Sequence, residues 1–175
     1  MEKKILRILI FVCCVIGIIS LFLPYVSSKG EYREYLKKNP SITNMEEIGF
    51  TNGDVVDISL VENFKLHSFI ITNYSSDEMH EDALFNIVPI IVIVVTIVLI
   101  AVFVLLDKKI PIIIFDILLV ISVLILNVHI TSRGIIPTDN YTYGLTYYLY
   151  FSIASVILVS TIYMMFIDKK KKIKE

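Results

Sequence analysis

Four long apolar stretches, separated by polar segments, set the pattern of hydrophobic and polar positions along the chain. The clearest pair lies within residues 84–130, where two aliphatic runs are joined only by the polar residues 107–109. Each run has about 20 residues, the length with which a helix rising about 1.5 Å per residue crosses a hydrocarbon core about 30 Å thick. A three-residue polar link between such runs predicts an antiparallel pair of membrane-spanning helices.

Two further apolar runs, one before and one after this pair, bring the number of predicted spans to four. The predicted spans cover about residues 5–26, 85–106, 110–130 and 145–167. This pattern predicts an all-α membrane protein, a single unit of residues 1–175 whose helices form a four-transmembrane-helix, up-down-up-down bundle. Hydrophobic residues make up 56% of the chain, more than a typical soluble domain contains, as a membrane protein requires.

The first apolar run follows a basic start, which is also typical of a secretory signal peptide. The run has about 20 residues, whereas the apolar region of a signal peptide has about 7–15 and precedes an A-x-A-like site. The pattern therefore predicts an uncleaved span. Within it Cys13, Gly17 and Ser20 recur at helical spacing, and such a stripe of small residues lets another helix approach closely. Chance recurrence of small residues is the alternative explanation.

Charge is distributed unevenly, although the formal net charge is only −1. Residues 1–7, 107–109 and 168–175 carry three, two and five basic residues, against one, one and two acidic residues. Basic residues next to membrane helices mark the cytoplasmic side. The pattern predicts a multi-pass plasma-membrane protein with the N- and C-termini and residues 107–109 in the cytoplasm.

Residues 27–83, which we call the cap, form the only sizeable polar segment and are predicted to make a small extracytoplasmic unit between the first two spans. The cap has eleven acidic and five basic residues, so its electrostatic field favours a basic partner over nucleic acid. Its local patterns predict a helix over 30–38 ended by Asn39-Pro40 and a turn at 51–54. Further on, Ile58, Val61 and Leu66 suit a short amphipathic helix, whereas residues 69–72 are more typical of a strand. The capping-box spacing of Ser75 and Glu78 predicts that the second helix begins near Ser76.

One carboxylate, Asp116, lies inside a predicted span and is the most unusual polar residue of the apolar stretches. A lone charge at that depth needs a partner, and Arg7 of the first span is the cation best placed in depth, with Lys109 as the alternative. Asn127 returns to nearly the same helix face as Asp116. We predict one polar stripe and an Arg7–Asp116 ion pair between spans, with a protonatable pathway residue as the functional alternative.

Signatures of catalysis and metal binding are absent from the sequence. It has no nucleophile elbow, HExxH motif, phosphate loop or pair of carboxylates within a span. The acidic residues around His80 have no fixed ligand spacing, and three scattered histidines do not form a zinc signature. We therefore expect no enzyme activity, no cofactor and no metal site.

Two short segments complete the pattern of spans. The first predicted span ends in Leu-Phe-Leu-Pro at 21–24, and the last is entered through Tyr-Gly-Leu-Thr-Tyr-Tyr-Leu at 143–149 and closed by lysines. In this layout the chain resembles the small four-span membrane proteins of Gram-positive bacteria, a group with no assigned activity. The resemblance implies a bacterial cell membrane. Claudins and tetraspanins fit less well, because the chain has no tryptophan and its adjacent cysteines lie within a span.

These features predict a non-enzymatic accessory or interaction protein, such as an immunity, regulatory or assembly factor. Its partners would be the lipid bilayer and another membrane or extracytoplasmic protein, or a second copy of the chain, and not nucleic acid. The alternative is a subunit of a small transporter or ion pathway that uses Asp116, because buried ionisable residues mark such pathways.

Overall fold

The computed structural model describes residues 2–46, 49–74, 76–132 and 138–174, with only the backbone described at 44, 45 and 171–174. Helix accounts for 80% of the structure, in agreement with an all-α class. The helices are α1 (Glu2–Ser20), α2 (Gly30–Lys38), α3 (Asn52–Val56), α4 (Leu60–Asn73), α5 (Asp77–Leu105), α6 (Lys109–Ser132) and α7 (Leu145–Lys174). The strands are β1 (Pro24–Ser28), β2 (Thr43–Met45), β3 (Phe50–Thr51), β4 (Asp57–Ser59) and β5 (Tyr141–Tyr143).

Within the described part of the chain, three helices are long and apolar enough to cross a membrane, namely α5, α6 and the first 26 residues of α7. They pack with α1 around a core of buried aliphatic side chains that includes Ile10, Ile97, Leu119 and Ile157. The chain is therefore a multi-pass membrane protein. α1 is shorter, and four of its first six residues are charged.

The four long helices alternate in direction, so the bundle has two different ends. At the basic end, Lys3 of α1 lies beside Asp107 of the α5–α6 link and Asp168 of α7. At the opposite end, which we call the cap end, α1 leads into β1. The α5–α6 link is tight, because Asp107 adopts a left-handed conformation with φ of 57° and the Lys108 N–H donates back to the Phe103 carbonyl.

The first helix is shorter than the sequence predicts, since α1 ends at Ser20 and not at Val26. The N–H groups of Leu21, Phe22 and Leu23 each donate to the carbonyl three residues earlier, which closes the last turn tightly. Pro24 then follows, which has no N–H with which to continue the helix. The segment from Pro24 onward becomes strand β1.

A small three-stranded antiparallel sheet, with the order β4-β1-β5, joins the cap to the bundle. Its central strand β1 continues from α1, β4 belongs to the cap, and β5 leads directly into α7. A second antiparallel pair, β2 and β3, lies within the cap. The cap has its own small core of Leu36, Val55 and Val56, against which Tyr32 and Phe50 pack.

Two local predictions for the cap are wrong, for the same physical reason. Residues 52–56 form helix α3 and not a turn, because Thr51 and Asp54 make a capping box at its start. Residues 69–72 lie in helix α4 and not in a strand, because Ser59 and Glu62 make a second capping box that starts a helix running through them. In both places the capping chemistry outweighs the preferences of the residues that follow it.

Other boundaries are confirmed. α2 covers Gly30–Lys38 and ends at Asn39 as predicted, and α5 begins at Asp77, directly after Ser76. Ser75, the predicted capping residue, lies outside the described residues. α5 continues as one helix through Pro89.

Candidate functional site

Asp116 is the buried acid that the sequence singles out, and the structure places it in the core of the bundle with 2% of its surface exposed. One carboxyl oxygen, Oδ1, makes no hydrogen bond to any described residue. The predicted ion pair with Arg7 is wrong. Arg7 instead donates from Nε to the Val104 carbonyl at 3.1 Å and from Nη2 to the Leu105 carbonyl at 2.7 Å.

Depth explains why the two groups do not meet. Lys3 and Lys109 lie at one level, since both bind Asp168. Arg7 is four residues beyond Lys3, or about 6 Å along its helix, whereas Asp116 is seven residues beyond Lys109, or about 10 Å. At the level of Arg7 the last carbonyls of α5 have no intrahelical donor and accept the guanidinium. The alternative partner, Lys109, is held by Asp107 and Asp168.

Among the described residues, the polar side chains of the other helices do not pair with Asp116 either. Thr96 of α5 and Thr161 of α7 are both buried, but each hydroxyl donates to a carbonyl of its own helix. Cys14 of α1 lies close enough to Asp116 for the two side chains to interact electrostatically. Asn127 is half-buried near the cap end, where Thr131 donates to its side-chain oxygen at 3.5 Å. Among the described residues no hydrogen bond links Asn127 to Asp116, and the polar stripe stays a prediction.

The small-residue stripe of α1 lies at the interface with α5 and α7, and Cys13, Gly17 and Ser20 are all buried. A Cβ atom at Gly17 would lie 3.1 Å from Cδ1 of Ile97, so α5 approaches closely at this point. The Gly17 carbonyl accepts hydrogen bonds from the Ser20 hydroxyl and from the Tyr150 hydroxyl of α7. The stripe thus gives close helix contact and also exposes a carbonyl to α7.

Donors from other elements satisfy the carbonyls at the end of α1, which a helix terminus leaves without intrahelical partners. The Thr146 hydroxyl lies 2.9 Å from both the Ser20 and the Leu23 carbonyl oxygens and shares its one hydrogen between them. The Val61 N–H of α4 donates to the Leu21 carbonyl at 3.2 Å. These bonds tie α4 and α7 to the point where α1 becomes β1.

Gly144 lies at the tightest contact between β1 and the start of α7. Its N–H donates to the Tyr25 carbonyl at 2.8 Å. A Cβ atom at this position would lie 2.6 Å from the Pro24 carbonyl carbon and closer still to its oxygen. Only glycine allows this approach. The sequence shows Gly144 at the entry to the last span but does not predict this contact, because the partner lies 120 residues earlier in the chain.

Four charged side chains form a network at the basic end. Lys3 binds Asp107 at 2.6 Å and Asp168 at 3.1 Å, and Lys109 binds Asp168 at 2.6 Å and Asp107 at 3.3 Å. Burial opposes ionisation of Asp107, but hydrogen bonds from Lys3 and Lys109 hold its pKa below its usual range. The network joins α1, the α5–α6 link and α7.

The surface of the cap combines a fixed ion pair with exposed apolar side chains. Arg33 of α2 donates through both terminal nitrogens to the Asp57 carboxylate of β4, at 2.7 and 2.6 Å. This contact holds the pKa of Asp57 below its usual range. Tyr35 and Ile42 are each about half exposed, and the α2 residues around Tyr35 are mostly charged.

Comparisons with known proteins found no relative of this chain. No protein-family model matches the chain, and no curated protein or solved structure matches it significantly. Among the described residues, no three His, Cys, Asp or Glu side chains come together as possible metal ligands. Any role of these residues is therefore inferred from the geometry of the structure alone.

Proposed function

We propose that this chain is a four-span protein of a bacterial plasma membrane that presents its cap to a partner protein, as a non-enzymatic immunity, regulatory or assembly factor. The observation that carries the proposal is the β4-β1-β5 sheet. A strand that continues from a bundle helix pairs with the cap on one side and with the segment entering α7 on the other. The cap is thereby held in a fixed position relative to the bundle.

The proposed topology uses α1 as the fourth span. Its apolar part, from Ile8 onward, packs against α5 and α7 over the length of the bundle. Charged residues at its start lie level with the ends of α5 and α7, where lysines and arginines face the cytoplasm by the positive-inside rule. Both termini and residues 107–109 would then be cytoplasmic, and the cap would be extracytoplasmic.

Labelling of single cysteines tests this topology in a variant without Cys13 and Cys14. A reagent that cannot cross the membrane is expected to label a cysteine at position 38 in intact cells and to leave one at position 108 unlabelled. After the cells are permeabilised, the reagent is expected to label both positions. Labelling of position 108 in intact cells would contradict the proposed orientation.

The partner surface that we propose centres on Tyr35 and Ile42 of the cap. Tyr35 is an exposed tyrosine among charged residues, and tyrosine is enriched in binding hot spots. Ile42, seven residues later, adds an exposed apolar side chain. The excess of acidic residues in the cap favours a basic partner surface, and exposed charges more than about 10 Å apart are screened at 0.1 M salt. We therefore expect association that weakens as the salt concentration rises.

Affinity capture in mild detergent, followed by mass spectrometry, tests the role of the cap. The double variant Tyr35→Ser and Ile42→Ser is expected to lose a partner that the natural chain retains at low salt. Tyr74→Ser is the matched control, because Tyr74 is also an exposed cap tyrosine outside the proposed surface. A set of captured proteins that is identical for all three chains would rule out this surface.

A subunit of a small transporter or ion pathway is the second candidate, favoured by the buried Asp116 with its unpartnered Oδ1. A carboxyl group without a cation in the core of a bundle resembles the residues that carry protons or ions through membranes. Under this alternative, Asp116→Asn keeps the protein abundant and abolishes ion flux in reconstituted vesicles. Flux that is unchanged by Asp116→Asn, or absent from the natural chain, would reject the candidate.

A further inference from the structure

A groove of about 640 Å³ opens between α1 and the end of α5, at the basic end of the bundle. The part of the groove nearest the basic end is lined by three cations of α1, namely Lys3, Lys4 and Arg7. Its remaining lining is apolar, and no acidic side chain among the described residues takes part in it. A groove with basic side chains at one end and apolar side chains along the rest suits an amphiphile that has an anionic group at one end and a hydrocarbon chain.

Arg7 is held in place by the Val104 and Leu105 carbonyls, which accept hydrogen bonds from two of its nitrogens. Nη1 makes no hydrogen bond with the described residues and is left for another acceptor. Lys4 is exposed and has no ion pair within the described part of the chain. Lys3 is already shared by two carboxylates. Arg7 and Lys4 therefore provide the free positive charge of the groove.

The apolar wall of the groove continues along the surface of the bundle. Ile8 and Phe11 of α1 and Leu105 of α5 are 54%, 41% and 64% exposed, so a long hydrocarbon chain could lie against them. A soluble anion would use the basic end alone and would leave this wall uncovered. The continuity of the two parts selects a lipid over a free phosphate.

We propose that this groove binds one anionic phospholipid, with its phosphate at Arg7 and Lys4 and an acyl chain along Phe11 and Leu105. An anionic headgroup is favoured over a zwitterionic one, because the described lining of the groove offers positive charge and no carboxylate for a choline or ethanolamine group. The inference rests on the proposed placement of α1 as a span whose basic end lies at the headgroup level. It adds a lipid of defined charge to that proposal.

The test measures lipid retained by the purified full chain in neutral detergent, using native mass spectrometry with equal amounts of phosphatidylglycerol and phosphatidylcholine. The natural chain is expected to retain phosphatidylglycerol preferentially at one copy. Arg7→Gln and Lys4→Gln are each expected to lower that retention about fivefold, which corresponds to about 1 kcal/mol for each charge near a membrane surface. Lys4→Gln breaks no hydrogen bond or ion pair within the described part of the chain, so it remains informative if Arg7→Gln folds poorly.

Lys108→Gln is the matched control, because Lys108 lies at the same end of the bundle but does not line this groove. Equal losses in Lys108→Gln and Lys4→Gln would show general attraction by the basic end and would overturn the site. Displacement of the lipid by an equal concentration of glycerol phosphate would overturn the choice of a lipid. These measurements are made in detergent, so they stand apart from the labelling that tests the topology.

Discussion

The two ends of the bundle are held together by different kinds of interaction. At the basic end, four side chains form ion pairs, and the carboxylates of Asp107 and Asp168 are about one third exposed. At the cap end, the helices are joined through backbone hydrogen bonds of a three-stranded sheet and through buried hydroxyls that satisfy the last carbonyls of α1. The first kind is screened by water and salt, and the second is not.

This difference indicates where the structure is rigid. Exposed ion pairs contribute about 0–1 kcal/mol each, whereas a buried carbonyl left without its donor costs about 1–3 kcal/mol. The cap end also contains an aromatic cluster in which Tyr147 stacks on Tyr143 at 4.3 Å and contacts Tyr25 edge-on. We therefore expect changes at the cap end to destabilise the fold, and changes at the basic end to have small effects that depend on salt.

The largest effect is expected from Gly144→Ala. The new Cβ would overlap the Pro24 backbone, which cannot rotate away as a side chain could, so β1 and the start of α7 must separate. Such overpacking costs about 3 kcal/mol or more. The folded fraction after detergent extraction, followed by thermal unfolding, measures the loss.

Gly53→Ala is the control for this substitution. Its Cβ would have no neighbour closer than 3.4 Å, and alanine is favoured over glycine within a helix such as α3. If Gly144→Ala unfolds at the same temperature as Gly53→Ala and the natural chain, the sheet does not hold the cap end together.

A smaller effect is expected from Thr146→Val, which keeps the shape of the side chain and removes its hydroxyl. The Ser20 and Leu23 carbonyls would then lose a donor at the end of α1. We expect a loss of about 1–2 kcal/mol, because the Leu23 carbonyl loses this donor and the Ser20 carbonyl keeps only the N–H of Leu23. Thr142→Val in β5 is the matched control. Equal thermal stabilities of the two variants would show that the hydroxyl bonds contribute nothing.

The two ends also differ in how far the sequence predicts them. The lysines and aspartates of the basic end follow from hydropathy and charge, since each lies directly beside an apolar run. The sheet at the cap end could not be predicted, because it pairs β1 with strands that lie about 30 and 115 residues later in the chain. Each of those strands has only three residues, too few for an alternating pattern to be recognised.

The candidate site shows the same limit. Hydropathy correctly marks Asp116 as the unusual acid, but it does not predict where the guanidinium of Arg7 goes. That choice depends on the Val104 and Leu105 carbonyls at the end of α5, which lack an N–H donor within the helix and compete with the carboxylate for the guanidinium. The capping box of Ser59 and Glu62, by contrast, was visible as a four-residue spacing and would have predicted the start of α4.

A moderate, pH-dependent effect is expected at the link between Arg33 and Asp57. The hydrogen bond from Arg33 lowers the pKa of Asp57 in the folded protein, so the pair contributes stability above the unfolded pKa of about 4. That contribution is lost as the pH falls through the lower folded pKa. Arg33→Gln should cost about 1 kcal/mol at neutral pH and flatten this acid dependence. Thermal unfolding between pH 3 and 7 is the measurement, and parallel profiles for the two chains would contradict it.

The smallest effect is expected from Asp168→Asn at the basic end. The substitution removes the carboxylate that Lys3 and Lys109 share, but Asp107 remains to bind both lysines. Because these side chains are partly exposed, the loss should be about 0.5 kcal/mol at low salt and should vanish near 1 M salt, where charges are screened within about 3 Å. Thermal unfolding of both chains at several salt concentrations checks this. A loss that exceeds the effect of Thr146→Val, or that persists at high salt, would show that ion pairs hold the basic end as firmly as hydrogen bonds hold the cap end.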